Sequence, residues 1–197
     1  GDKIVFAGDD TWKMFPHFYR MYANQDSLFV NDFYEGDLNI TNTLTYELKQ
    51  LDWKLMILHY LGLDHVGHVF NAHHELVPQK MKEMDDVVKM IHFKLKQLNK
   101  GKRNKSLLFL TSDHGMRDAG GHSGNSFHET HIPLFMIGCD CESNNETFYN
   151  QIDFATSFSI INGLPLPKSS IGSIIPELLI DIEPLKKLDL FKIINQR

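Results

Sequence analysis

Short apolar runs alternate with amphipathic stretches along this chain. Five apolar runs predict strands, at residues 3–8, 27–30, 53–61, 106–112 and 132–138. Amphipathic stretches predict helices, at residues 37–51, 78–100 and 151–163. Apolar strands that alternate with helices are typical of an α/β fold, in which helices cover a mostly parallel sheet on both faces.

The helix at residues 78–100 has the longest periodic pattern. Pro78 suits its first turn, and lysines near its C-terminal end favour the helix dipole. Apolar residues three and four apart predict its core face, which consists of Met81, Met84, Val88, Ile91, Leu95 and Leu98. A last amphipathic stretch predicts a helical extension at residues 181–197, after a domain at residues 1–180.

Composition narrows the class of protein. The chain has 197 residues, 42% of them hydrophobic and 23% charged, as in an ordinary globular domain. A net charge of -5 gives no indication of a nucleic-acid partner. No apolar stretch reaches the ~20 residues that cross a bilayer. The chain begins with Gly1 and has no signal peptide, so we expect a processed chain or a piece of a longer one.

Other short motifs add little. Sequons at Asn39, Asn104 and Asn145 favour a secretory compartment without proving it. Cys139 and Cys141 are expected to be loop cysteines, because a Cys-x-Cys spacing alone is a poor zinc signature.

Two polar loops each follow a predicted strand and carry metal-binding side chains. Asp64 and His68 are four residues apart, so a helical turn would place both on one face. Asp113, His114 and His122 lie in the second loop, among glycines. Because sites in such folds gather at the carboxyl ends of strands, we expect the two loops to form one site.

The ligand types indicate a metal centre. All five side chains offer nitrogen or oxygen, which suit zinc, manganese and other divalent ions. A single zinc site uses three or four ligands, so five indicate two ions. The alternative for either loop alone is a turn or helix cap that needs no metal.

The two loops together resemble the alkaline phosphatase superfamily, through LHYLGLDHVGH at residues 58–68 and TSDHGMRDAGGH at residues 111–122. More narrowly, the chain resembles the ethanolamine phosphate transferases of glycosylphosphatidylinositol (GPI) anchor assembly. GDDTW at residues 8–12, MDDVV at residues 84–88 and the stretch at residues 151–175 carry this resemblance. Within that family the chain is similar to the members that modify the second mannose.

The resemblance implies an alkaline-phosphatase-like fold, of which this chain is the C-terminal part of the catalytic domain. It implies two zinc ions, with other divalent metals possible. Asp64, His68 and His122 match the ligands of one ion, and Asp113 and His114 match two ligands of the other.

Other polar residues near these motifs have lesser expected roles. His65 is expected either to orient the ligands or meet substrate, or simply to pack within its loop. His59 is expected in the core, and Asp9 and Asp10 are expected to cap the helix that follows them. Ordinary loop positions are expected for His73, His74, His128 and His131.

The family's nucleophile is a threonine upstream of the GDDTW stretch, and nothing here matches it. Thr111 and Ser112 lie at a strand end, which is not the position of that nucleophile. The resemblance therefore implies a chain that supplies metal ligands but is inactive alone. In the whole enzyme, the threonine would take phosphoethanolamine from phosphatidylethanolamine and pass it to a mannose hydroxyl.

The same resemblance implies an endoplasmic reticulum membrane enzyme with this domain in the lumen. Its expected partners are phosphatidylethanolamine, the GPI precursor lipid and a small membrane-protein subunit. One alternative is a soluble phosphodiesterase or phosphatase that uses water as acceptor. The other is a catalytically inactive relative that acts as a structural or binding subunit.

Overall fold

The computed structural model describes residues 3–102, 106–138 and 147–179. The chain divides into two units, Gly1–Phe135 and Met136–Arg197.

Some predicted features lie outside the described residues. They are Cys139, Cys141, the sequon asparagines Asn104 and Asn145, and the extension at residues 181–197. The domain boundary at residue 180 therefore stays a prediction. None of the helices in the described part of the chain has the length and apolar character needed to cross a membrane.

A three-stranded parallel sheet forms the centre of the first unit. Strand β1 (Ile4–Asp9) lies between β2 (Arg20–Gln25) and β3 (Leu55–Leu58), and both neighbours run parallel to it. The central strand is apolar from Ile4 to Gly8, and Val5, Phe6 and Ala7 are buried, as expected for a strand covered on both faces. The predicted α/β fold with a parallel sheet is confirmed.

Three helices accompany this sheet: α1 (Glu35–Gln50), α2 (Gly62–Val69) and α3 (Leu76–Asn99). Helices α1 and α3 contribute the buried cluster of Leu44, Leu48, Val87, Ile91 and Leu95. Residues of β3 and its flanks pack against that cluster, which explains why the sheet and both long helices form one core. Pro78 lies in the first turn of α3, as predicted.

The buried face of α3 differs from the predicted one at its N-terminal end. Ile91 and Leu95 are buried as predicted, but Met81 is 55% exposed. The fully buried residue at that end is Lys80, because acidic partners surround its ammonium group. Periodicity of apolar residues could not reveal a buried charge.

The strand predicted at residues 27–30 is wrong. These residues form a turn, in which the Asp26 carboxylate accepts a hydrogen bond from the Leu28 N–H at 2.9 Å, and Leu28 is 87% exposed. The strand of this region is β2, whose polar residues hid it. Arg20 at its start pairs with Glu47 of α1, which satisfies the charge.

Three further short elements lie between residues 108 and 137. Strands β4 (Leu108–Thr111) and β5 (Leu134–Ile137) form a two-stranded sheet, within the stretches predicted as strands. Helix α4 (Phe127–Thr130) was predicted as loop. It spans a single turn, and its capping box between Ser126 and Glu129 is the local signal for it.

The second unit is built around α5 (Gln151–Ile161), which a capping box between Asn150 and Asp153 begins. Its buried residues are polar except for Ile160. Asp153 accepts a hydrogen bond from the Ser173 N–H at 2.6 Å, and the Ser157 hydroxyl accepts one from the Ile175 N–H at 2.8 Å. The stretch at residues 151–175 is therefore a helix with the following segment bonded along it.

Candidate metal centre

Helix α2 carries the first pair of predicted ligands. Asp64 and His68 lie one helical turn apart, and His68 Nε2 is 3.5 Å from Asp64 Oδ2. The loop that contains them was predicted to place both on one face if it turned helically, and it does.

The second pair comes from the loop after β4. The rings of His114 and His122 stack, with centroids 3.5 Å apart and planes 21° apart. His122 Nε2 is 3.5 Å from Asp64 Oδ1, and its ring centroid is 4.8 Å from that of His68. The two loops therefore meet, although more than forty residues separate them in sequence.

One group within this cluster has the spacing of a metal site. Donor atoms of Asp64, His114 and His122 all lie within 4.8 Å of one another. Asp64 Oδ1 is buried and accepts no hydrogen bond from any residue that the structure describes. A buried carboxylate oxygen without a donor is costly unless a cation meets it, so these residues fit a divalent metal.

The histidines present the correct nitrogen for that purpose. His114 Nδ1 is 2.9 Å from the Gly115 carbonyl oxygen, to which only a protonated nitrogen can donate. The neutral ring then has its lone pair on Nε2. His122 Nδ1 similarly lies 3.2 Å from the Ser123 hydroxyl, which leaves Nε2 towards Asp64.

Asp113 is the most peripheral of the predicted ligands. Its side chain is 70% exposed, and Oδ2 is 3.6 Å from His114 Nε2. Its other oxygen accepts a hydrogen bond from the His114 N–H at 3.0 Å. The five predicted residues thus form one continuous series of contacts, with Asp113 at one end and His68 at the other.

Comparison with known proteins shows the family of this chain. Residues 6–134 match the model of type I phosphodiesterase / nucleotide pyrophosphatase. The chain belongs to the type I phosphodiesterase / nucleotide pyrophosphatase family. Because this family is alkaline-phosphatase-like, the predicted fold class is confirmed. Such proteins generally use metal ions, which agrees with the donor set found here.

The names of similar curated proteins are narrower than that of the family. GPI ethanolamine phosphate transferase 2, catalytic subunit, of Homo sapiens is 40% identical over 181 residues, which are 89% of this chain and 18% of the relative. GPI ethanolamine phosphate transferase 2 of Aspergillus oryzae is 40% identical over 91% of this chain and 23% of the relative. That of Eremothecium gossypii is 36% identical over 90% and 24%. The chain therefore spans about a fifth to a quarter of the length of these relatives.

Glycines let the two ligand-bearing segments of this phosphodiesterase-family chain approach closely. A Cβ at Gly67 would lie 2.5 Å from Met116 Cε, and one at Gly120 would lie 2.5 Å from the Gly67 carbonyl oxygen. Gly120 also has a φ of 90°, which favours glycine. A side chain at Gly120 would meet backbone and push the two segments apart, whereas one at Gly67 would displace the Met116 side chain.

The loop after β4 is fixed by main-chain bonds to α4. The Gly115 N–H donates to the Glu129 carbonyl oxygen at 2.8 Å, and the Met116 N–H donates to that of His128 at 3.1 Å. A Cβ at Gly115 would lie 1.9 Å from the His128 carbonyl oxygen. Only glycine therefore fits directly after His114.

The Glu129 side chain supports the end of the same loop. Its buried carboxylate accepts hydrogen bonds from the Ser126 hydroxyl and from the Gly124 N–H, the latter at 2.7 Å. These bonds lower the pKa of Glu129 below its usual 4.5, chiefly through Ser126. Sequence reasoning missed this residue, and the Ser126-x-x-Glu129 capping pattern was the signal that could have revealed it.

His65 is buried beneath the site and is not one of the grouped donors. Its Nδ1 donates to the Asp32 carbonyl oxygen at 2.8 Å, which leaves Nε2 as the acceptor nitrogen. Nε2 is buried and has no hydrogen-bond partner among the residues that the structure describes. This contact ties the middle of α2 to the segment before α1, which agrees with an orienting role.

Asp9 and His59 form a separate contact at the ends of β1 and β3. His59 Nδ1 is 2.6 Å from Asp9 Oδ2, and the His59 side chain is only partly buried, so it is not the core residue predicted. Asp9 caps the 3-10 helix (Asp10–Met14) by accepting the Thr11 N–H, as predicted, whereas Asp10 is the first residue inside that helix. Burial would raise the pKa of Asp9, but Thr11 and His59 lower it below its usual 3.8.

The remaining histidines lie outside the grouped donors, with varied local roles. His73 pairs with Asp118 at 3.2 Å on the surface, and the His74 ring stacks on that of Phe70. His128 lies in α4 and His131 is its C-cap, so neither is the loop residue predicted. The prediction missed them because it did not include α4.

Proposed function

We propose that this chain is part of a metal-dependent transferase that moves phosphoethanolamine from phosphatidylethanolamine to a mannose of the GPI precursor. The similarity to relatives named GPI ethanolamine phosphate transferase 2, over about nine-tenths of this chain, carries the proposal. The cluster of Asp64, His114 and His122 supports it, because nitrogen and oxygen donors at this spacing suit phosphoryl-transfer metals.

The proposed ligand sets come from the resemblance and combine residues of both segments. They differ from the grouped donors, in which His114 and not His68 joins Asp64 and His122. Asp64, His68 and His122 would hold one zinc, and Asp113 and His114 would contribute to the second. Two bound divalent ions can stabilise the attacking and leaving oxygens of an in-line displacement. The chain's own part is to orient the imidazoles of His114 and His122 through contacts at Nδ1, which leaves Nε2 for the metal, and to place the Asp64 carboxylate beside them.

The finer parts of the proposal concern the whole protein. The covalent intermediate would form on a threonine N-terminal to this segment, with release of diacylglycerol. The phosphoethanolamine would then pass to a hydroxyl of the second mannose, which takes the threonine oxygen's place on phosphorus. We place this activity at the endoplasmic reticulum membrane, with this domain in the lumen and a small membrane-protein subunit bound to the enzyme.

A second candidate function is hydrolysis with water as acceptor. The description of the matching family, type I phosphodiesterase / nucleotide pyrophosphatase, favours it. The same metal ligands would serve either acceptor, so a direct assay has to decide between them.

The test uses membranes that contain the full-length protein carrying this chain. Phosphatidylethanolamine labelled in its ethanolamine headgroup is supplied with a mannose-containing GPI precursor. Transfer is measured as label in the GPI lipid, and mass spectrometry locates the modified mannose. We expect label on the second mannose. We expect Asp64→Asn to lower the rate by more than the ~10–100-fold that an outer-shell change costs.

Asp118→Asn is the matched control. Asp118 is an aspartate of the loop after β4, but its side chain is 67% exposed and pairs with that of His73 at the surface. We expect it to keep the rate within about twofold, because exposed pairs contribute little. Label released as free phosphoethanolamine would favour hydrolysis, and no turnover by the wild-type protein would favour an inactive relative.

A further inference from the structure

A charged pair is buried beside the beginning of α2. Asp37 of α1 and Lys80 of α3 are 3% and 0% exposed, and Lys80 Nζ is 2.7 Å from Asp37 Oδ2. Lys80 also pairs with Glu83 at 2.5 Å. Burial would lower the pKa of Lys80, but these two carboxylates raise it above its usual 10.5, so the ammonium is charged.

The other oxygen of Asp37 bonds to the first turn of α2. Asp37 Oδ1 accepts hydrogen bonds from the N–H groups of Leu61 and Gly62, at 3.2 Å and 3.1 Å. The residue at the N-cap position, Leu61, has no capping side chain of its own. Asp37 therefore caps α2 from another helix, where a carboxylate also favours the helix dipole.

The contact between Asp37, Lys80 and α2 leaves no room for a side chain at Gly62. A Cβ at Gly62 would lie 2.3 Å from Asp37 Oδ2 and 2.8 Å from Lys80 Cε. The backbone of α2 thus rests directly on the charged pair. Asp64 follows two residues later, so any shift of the pair moves the Asp64 carboxylate with the helix.

Stability is a poor explanation for such a pair. Buried ion pairs lose much of their attraction to desolvation, and well-packed apolar residues often replace them without loss of stability. An apolar pair, however, could not accept two N–H groups at the start of α2. The ion pair therefore serves to fix the position of α2.

We propose that Asp37 and Lys80 are positioning residues, which hold α2 so that Asp64 and His68 bind the metal tightly. This inference rests on the metal centre of the proposed function. Neither residue touches the donor cluster; both act through the backbone of α2.

The test measures zinc affinity of the purified full-length protein that carries this chain, by competition with a chelator, while circular dichroism monitors folding. Asp37→Asn keeps the size of the side chain but removes its charge and leaves Lys80 without that partner. We expect zinc affinity to fall ~10–100-fold, as when outer-shell partners of metal ligands are changed. Hydrogen exchange at the Leu61 and Gly62 amides should become faster, with or without zinc.

Glu47→Gln is the matched control. Glu47 is also a fully buried carboxylate of α1, and it pairs with Arg20 of β2 at 2.5 Å. We expect this change to lower the free energy of unfolding while zinc affinity stays within about twofold of wild type, because Glu47 does not cap α2.

Gly62→Ala is the second variant, because it displaces the same contact without removing any charge. We expect it to weaken zinc binding as Asp37→Asn does, and it decides the question if Asp37→Asn fails to fold. Folded variants that bind zinc like wild type would overturn the inference, as would an equal loss in Glu47→Gln. A folded wild-type full-length protein that binds no zinc would refute the metal centre itself, and the positioning role with it.

Discussion

The two segments that carry the proposed ligands are fixed in different ways. Helix α2 is held by side-chain hydrogen bonds to other segments, since Asp37 of α1 caps its start and its own His65 bonds to the Asp32 carbonyl. The loop after β4 is held mainly by its own backbone, whose Gly115 N–H bonds to α4. One segment depends on buried charge, and the other depends on the absence of side chains.

The two segments therefore differ in what sets the spacing of their ligands and in what sets the position of the segment. On α2 the helical repeat sets the spacing of Asp64 and His68, and distant residues set where the helix lies. In the loop, no repeat relates His114 to His122, so close backbone contacts set both spacing and position. We therefore expect substitutions that affect α2 and substitutions in the loop after β4 to differ in their effects on zinc binding and on stability.

The largest expected effect comes from removing the central carboxylate. Asp64→Ala should abolish zinc binding, because Asp64 lies between the histidines of both segments. Asp113→Ala should cause a smaller loss, since its side chain is 70% exposed at the edge of the cluster. Elemental analysis of bound zinc per chain measures both. Equal losses would show that the two segments contribute equally, against the geometry described here.

A smaller effect is expected from closing the backbone space in the loop. Gly115→Ala should lower the free energy of unfolding by about 1–3 kcal/mol, because its Cβ would meet the His128 carbonyl oxygen at 1.9 Å. Urea denaturation measures this, with Ala119→Ser at an exposed position of the same loop as control. An unchanged urea midpoint in Gly115→Ala would contradict main-chain support of the loop.

The smallest expected effect is on acid stability. The pKa of Glu129 is lower in the folded chain than its usual 4.5, so its contribution is present above that value and is lost as pH falls through the folded pKa. Glu129→Gln should therefore flatten the fall of stability below about pH 4.5. Urea midpoints from pH 6 down to about pH 3 test this. A variant with the same slope as wild type would show that Glu129 does not support the loop.

Local patterns predicted much of the fold. The apolar run of β1 and the periodicity of α3 identified both elements, because burial on two faces and on one stripe leave different signatures. The polar strand β2 escaped detection, since its Arg20 charge is satisfied by Glu47 of α1. The turn at residues 27–30 was misread for the opposite reason, because its apolar residues Leu28 and Phe29 are exposed.

The candidate site likewise depends partly on local sequence and partly on tertiary contacts. The sequence by itself determined which residues can bind a metal, since aspartate and histidine chemistry and the four-residue spacing of Asp64 and His68 are local properties. Only the tertiary structure decided that His114 and His122 meet Asp64, and that Asp37 and Lys80 hold α2. Those contacts join residues far apart in sequence, and buried charge is stable only where packing brings its partners together.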